Sequence, residues 1–270
     1  MDGGYETFFG LGERPFSLTP DPRYFFKSRS HGRAIETLTF SLRSRERFLA
    51  VTGDLGVGKT MLCRTFIDQL RRHAPVSHVC NPLLTPDAFC RLLRQDLGVD
   101  ALQDLATHQG GAVVVIDEVH LMPMPLVDQL LSLTAGCLDH IAPVRFVFIG
   151  QSAPGDPGRI GIQELDELVT TRIRLLPLER DECAAYIEHR LVVAGGSQGV
   201  RFSSRAIDYV VALSGGVPRL VNLLCERALQ EAAATGAQTI ESATIDLAAA
   251  TFQLLRSRSR RFRWFTKRVS

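Results

Sequence analysis

Short apolar runs recur through the first two thirds of the chain: Phe48 to Thr52, Val76 to Cys80, Ala112 to Ile116 and Val144 to Gly150, with Arg172 to Leu176 as a fifth strand-like segment. Runs that are apolar at successive positions suit strands buried on both faces of a parallel sheet. Between them the spacing turns helical. Leu62, Phe66, Ile67 and Leu70 share one helix face until His73-Ala74-Pro75 breaks the pattern, and Pro86 to Leu97 and Leu126 to about Leu138 read the same way. Alternating strands and helices predict a parallel five-stranded α/β sheet with helices on both faces, in which Ala112 to Ile116 is expected beside Phe48 to Thr52. Beyond Pro177 the strand pattern stops, and Arg180 to Ala194, Ser203 to Leu213, Val217 to Thr235 and Glu241 to about Leu255 predict a unit made of helices. Ser203 fits an N-cap, Pro218 a first helical turn, and Gly195-Gly196 and Gly236 fit helix stops. The expected division is therefore residues 1–177, a helical domain over 178–255, and a tail over 256–270.

The first strand runs directly into Gly53-Asp54-Leu55-Gly56-Val57-Gly58-Lys59-Thr60, with Met61 next on the helix that follows. Glycines there let successive backbone N–H groups curl around phosphate oxygens, and the helix dipole favours the same negative charge. Lys59 is a compact cation for the β- and γ-phosphates, and the Thr60 hydroxyl suits Mg²⁺. A plain glycine-rich turn leaves Lys-Thr at the helix start unexplained. The third strand ends in Asp117-Glu118. Read alone, two acids at a strand end are a solvated turn; downstream of a phosphate loop, Asp117 fits a Mg²⁺ carboxylate and Glu118 a group that polarises water. Gln151, ending the fourth strand, is either a γ-phosphate sensor or simply the first polar residue of a loop. Arg172 and Arg174 share a strand face, so either is a candidate to reach a neighbouring subunit's nucleotide. Arg219, near a helix start, is a further candidate for the γ-phosphate, against the plainer reading of a solvated side chain.

Charge and composition narrow the classes. The chain is 45% hydrophobic and 22% charged, which suits a globular protein and not a disordered or fibrous one. No run of about 18 apolar residues predicts a membrane span, and the N-terminus lacks a basic region followed by an apolar one. The six cysteines form no Cys-x-x-Cys pair, so their spacing predicts neither a disulfide framework nor a zinc module, and a reducing cytoplasm is expected. Seven of the 31 basic residues are Arg256, Arg258, Arg260, Arg261, Arg263, Lys267 and Arg268, leaving 24 against 29 acidic residues elsewhere. With Phe262, Trp264 and Phe265 among them, the tail suits an anionic membrane surface, nucleic-acid phosphate with stacking, or a solvated extension.

Several segments together resemble one family. Phe8 to Leu11, Arg14 to Pro22, the loop Gly53 to Thr60, Asn81 to Pro86, Ile149-Gly150-Gln151, His189 to Gly195 and Ser214 to Leu220 are similar to the general secretion pathway A (ExeA-like) ATPases, above all the MSHA-pilus biogenesis (MshM-like) branch. The resemblance runs from about Tyr5 to Thr251. It implies an AAA+ module, a P-loop nucleotide-binding core with a helical lid, working as a homo-oligomer with ATP at subunit boundaries. On matching positions Lys59 and Thr60 would be Walker A, Asp117 and Glu118 Walker B, Gln151 the first sensor, Arg172 the arginine finger and Arg219 the second sensor. Arg14, Pro15 and Phe16 would lie near the adenine. The chain departs from the family pattern in a shorter stretch between Pro86 and Val113, in Val119-His120 after the acid pair, and in a proline and glycine loop over Ser152 to Gly161.

The implied function is an ATPase, cytoplasmic or peripheral at the inner membrane, that helps assemble a secretion or type IV pilus apparatus. A DNA-associated AAA+ regulator of the transposition type shares the same core, and a nucleotide-gated scaffold with little turnover would explain the departures.

Overall fold

The computed structural model describes residues 4–44, 46–100, 111–136, 144–153, 155–196 and 199–252; Cys137, Leu138, Leu255 and the basic tail lie outside them. The residues group into two compact units, 27–176 in one and 1–26 with 177–270 in the other. The N-terminal segment carries a short helix, α1 (Tyr5–Phe9). The first unit then contains α2 (Arg29–Arg43), β1 (Phe48–Gly53), α3 (Lys59–Leu70), β2 (Val76–Val79), α4 (Pro86–Leu97), β3 (Val113–Ile116), α5 (Met124–Gly136), β4 (Arg145–Gln151), α6 (Gln163–Leu168) and β5 (Thr171–Leu175).

All five strands are parallel, in the order β2-β3-β4-β1-β5. The expected neighbourhood of β3 and β1 is corrected here. β4 lies between them, pairing Val51 with Ile149 on one side and Val115 with Val147 on the other. Apolar runs of equal burial carry no signal for strand order; side-chain stacking adds one. Phe48, Phe146 and Phe148 form a ladder on the β1–β4 pair, with centroids 5.7 to 6.4 Å apart. That face packs with Phe89, Leu93 and Leu97 of α4 and Leu126 and Leu130 of α5 into one core. α2 was not anticipated. Ser28 caps it by accepting the His31 N–H, and Ala34, Leu38 and Leu42 bury one stripe.

The second unit contains α7 (Arg180–Val193), β6 (Arg201–Phe202), α8 (Ser204–Ser214), α9 (Pro218–Thr235), β7 (Thr239–Ile240) and α10 (Ser242–Thr251). Ser203 does cap α8, and Pro218 does open α9. The helices are joined by one short parallel pair, β6 with β7, where no strand was expected. The division falls between Leu176 and Pro177, and the N-terminal segment groups with this helical unit and not with the α/β unit. Tyr5, Phe9, Leu11, Phe16 and Tyr24 are buried with Tyr186, Ile187, Leu191, Leu224 and Ala228. Arg190 fixes the segment by donating to the Pro15 and Ser17 carbonyls. An apolar aromatic segment needs a core to pack on, and sequence order does not say which one. Among the described residues no helix is long and apolar enough to cross a membrane.

Candidate functional site

The strand β1 delivers Gly53 to the sheet edge, and the chain turns through Asp54, Leu55, Gly56, Val57 and Gly58 before α3 starts at Lys59. Gly56 and Gly58 adopt φ +85° and +103°, backbone open to glycine and strained for other residues. A Cβ on Gly58 would also stand 2.7 Å from His31 Nε2, so glycine is required there twice over. Val57 is fully buried and anchors the loop, while Asp54 and Leu55 are exposed at its tip.

Lys59 is 6% exposed, and its ammonium donates to the Gly53 and Asp54 carbonyls at 2.9 and 3.0 Å. Burial lowers its pKa, opposed by the nearby Glu118, Asp117 and Asp54 carboxylates. Thr60 Oγ1 donates to Asp117 Oδ2 at 3.2 Å, and Asp117 Oδ1 accepts the Glu118 N–H at 2.9 Å. A hydroxyl and a buried carboxylate thus converge beside the lysine, a hard-oxygen donor set that fits Mg²⁺. Glu118 has φ +50°, the one left-handed non-glycine residue among those described. Its carboxylate is partly exposed, 3.5 Å from His120 Nδ1. Strain of this kind collects at functional sites and costs about 1–3 kcal/mol.

The remaining predicted residues divide. Gln151 lies opposite Gly53 in the β1–β4 register, at the same sheet edge as the loop, and its N–H donates to His120 Nδ1 at 3.4 Å. Arg172 is not free. Its guanidinium donates to Asp166 Oδ1 at 2.9 Å, to the Asp166 carbonyl and to the Gly158 carbonyl, tying α6 to β5. Asp166 is buried and also accepts the Ile160 and Gly161 N–H groups, which makes this a structural knot. Arg174, two residues on, is exposed, and no side-chain bond is seen for it among the described residues. Arg219 is exposed in the first turn of α9, in the other unit from the phosphate loop. A cation at a helix N-terminus opposes the helix dipole, so local energetics do not account for it. Phe16, expected near adenine, is 1% exposed within its own unit, edge-on to Phe202.

Residues 42–153 match the AAA domain family. In an alignment of 263 positions that covers 91% of its length, the chain is 37% identical to general secretion pathway protein A of Aeromonas hydrophila. The chain is an AAA+ protein related to general secretion pathway protein A. It spans 48% of that relative's length. In fold it is similar to the RuvB Holliday junction branch migration motor of Thermotoga maritima, with a TM-score of 0.61 at 17% identity, covering 88% of this chain and 72% of RuvB. The Aeropyrum pernix ORC2 protein, solved in its ADPNP–ADP complexes, has a TM-score of 0.63 at 15% identity, with 90% and 72% covered.

Two histidines of this AAA+ site were not anticipated as parts of it. His31 on α2 underlies Gly58, held by Ser28 Oγ at 2.7 Å from its Nδ1. His120 bridges Glu118 and the Gln151 backbone. Capping of α2 by Ser28 was a legible signal for the first. For the second nothing local pointed to a partner across the sheet edge.

Proposed function

We propose that the α/β unit binds ATP with Mg²⁺ and hydrolyses it. The observation that carries this reading is the buried Lys59 ammonium, held by carbonyls of its own loop beside the Thr60–Asp117 pair. Backbone N–H groups of the loop through Thr60 and Met61 receive the phosphates, and Lys59 exchanges its two carbonyls for β- and γ-phosphate oxygens. Thr60 and Asp117 would hold Mg²⁺, which neutralises charge developing on those phosphates. Glu118 orients water for in-line attack and draws its proton toward the carboxylate, with His120 and Gln151 fixing the geometry at the sheet edge. Arg174 is the better candidate than Arg172 for stimulation in trans, since Arg172 would first have to leave the buried Asp166. Arg219 would be the second sensor that the family resemblance implies.

In this reading the chain acts as a homo-oligomer at the cytoplasmic face of the inner membrane. Its relationship to general secretion pathway protein A supports a role in assembling a secretion or MSHA-like type IV pilus apparatus. ATP turnover by the wild type and by Glu118→Gln tests the chemistry. Turnover should fall about 10³-fold with ATP binding retained. Equal, near-background rates in both would leave a nucleotide-gated scaffold. Capture of secretion or pilus components by the ATP-loaded Glu118→Gln form supports the assembly role, and ATP-dependent filaments on duplex DNA would replace it with a DNA-associated one.

A further inference from the structure

Cys63, His78 and Asp117 lie far apart in sequence and come from three elements. Cys63 sits one turn beyond Thr60 on α3, fully buried. His78 is the third residue of β2, where alternation places it on the sheet face opposite Ser77, whose hydroxyl meets Asp96 of α4. Asp117 follows β3, the strand paired with β2, and its N–H donates to the Val79 carbonyl at 2.9 Å. These placements bring one sulfur, one imidazole nitrogen and one carboxylate oxygen within 4.8 Å of one another. Cys63 Sγ is 3.5 Å from His78 Nε2. A tetrahedral zinc ion, with bonds of about 2.3 Å to sulfur and about 2.0 Å to nitrogen, separates such ligand atoms by roughly 3.5 Å.

A second thiol stands next to the histidine. Cys80 Sγ is 3.4 Å from His78 Nδ1 and 3.7 Å from Nε2, and Cys80 is exposed. The half-buried His78 and exposed Cys80 open a path from solvent to the buried pair, as a metal site requires. The Glu118 N–H on Asp117 Oδ1 holds that carboxylate in place from behind, the role outer partners play around metal ligands. Soft sulfur, imidazole and one carboxylate select zinc and its analogues over Mg²⁺, which favours oxygen alone.

We propose that Cys63, His78 and Asp117 form a site for a thiophilic divalent ion of the zinc class, with the fourth position left to solvent. Because Asp117 is also the carboxylate that would hold Mg²⁺ in the function proposed above, zinc and Mg²⁺·ATP exclude one another. Zinc bound here holds the AAA+ site inactive. Loss of zinc releases Asp117 to Thr60 and the nucleotide metal.

Cobalt(II) is the probe, added to the full chain under a non-thiol reductant. The wild type should show the visible bands of a tetrahedral ion and a thiolate-to-cobalt charge-transfer band, both displaced by zinc. Cys63→Ser should lose the charge-transfer band, and His78→Gln should bind cobalt at least tenfold more weakly, with nucleotide binding retained in both. Absence of tetrahedral bands in the wild type overturns the site, as does an unchanged spectrum and affinity in both variants. Excess Mg²⁺·ATP should displace the cobalt; if the spectrum persists at saturation, the site stands and the exclusion at Asp117 is overturned. The spectrum needs no turnover, so its failure is separable from failure of the ATPase reading.

Discussion

Among the described residues each unit buries one lysine or arginine, and the two are held in opposite ways. In the helical unit Arg190, 3% exposed, donates to the Pro15 carbonyl at 2.5 Å, Ser17 carbonyl at 3.2 Å and Tyr186 hydroxyl at 2.8 Å, with its guanidinium 4.7 Å from the Tyr24 ring centroid. Its partners come from the N-terminal segment and from its own helix, and it closes the core around the N-terminal strap. In the α/β unit Lys59 is nearly as buried but bonds only to carbonyls of the loop it belongs to. A rigid planar fork with fixed partners builds structure; a flexible ammonium on makeshift partners can be handed to a ligand.

The contrast can be broken by substituting each cation with a chain of similar length. Arg190→Met should cost the most, about 3 kcal/mol, because it takes the donor from the buried Pro15 carbonyl and the part-buried Ser17 carbonyl and leaves the Tyr186 hydroxyl with Asn222 alone. Denaturant unfolding measures it, and a loss below about 1 kcal/mol would make Arg190 a passenger. Lys59→Met should leave unfolding almost unchanged, since the desolvation penalty of the buried ammonium is lost along with its two hydrogen bonds. Its effect should fall on nucleotide instead, an affinity loss of about 100-fold in fluorescent ATP titration, or about 2.7 kcal/mol.

Arg172 and Arg174 sharpen the same distinction between tied and available cations. Arg172→Ala should destabilise by about 2 kcal/mol, because the buried Asp166 keeps two backbone donors but loses its counter-charge. Arg174→Ala should leave the melting temperature in place and lower turnover only under conditions where subunits associate. The smallest effect is on pH. Burial raises the Glu226 pKa, only partly offset by the hydrogen bond from Tyr5. A carboxyl raised on folding adds stability below its unfolded pKa that is lost as pH rises through the folded one. Glu226→Gln should flatten stability above about pH 4.3, the ordinary glutamate value, and a slope equal to wild type would remove burial of Glu226 as the cause.

What the sequence alone determined was local. Apolar runs marked the five strands, helical spacing placed α4 at its observed bounds, and the loop from Gly53 to Thr60 with the acid pair was legible as a motif because it is carried by short runs of consecutive residues. The tertiary structure decided everything that depends on which surfaces meet. It inserted β4 between β1 and β3, gave the N-terminal strap to the helical core, and tied Arg172 to Asp166. It also gathered His31, His120, Cys63 and His78 around one sheet edge. Periodicity reports which face of an element is buried, through the free energy of removing it from water, but that term is non-directional and does not name the partner.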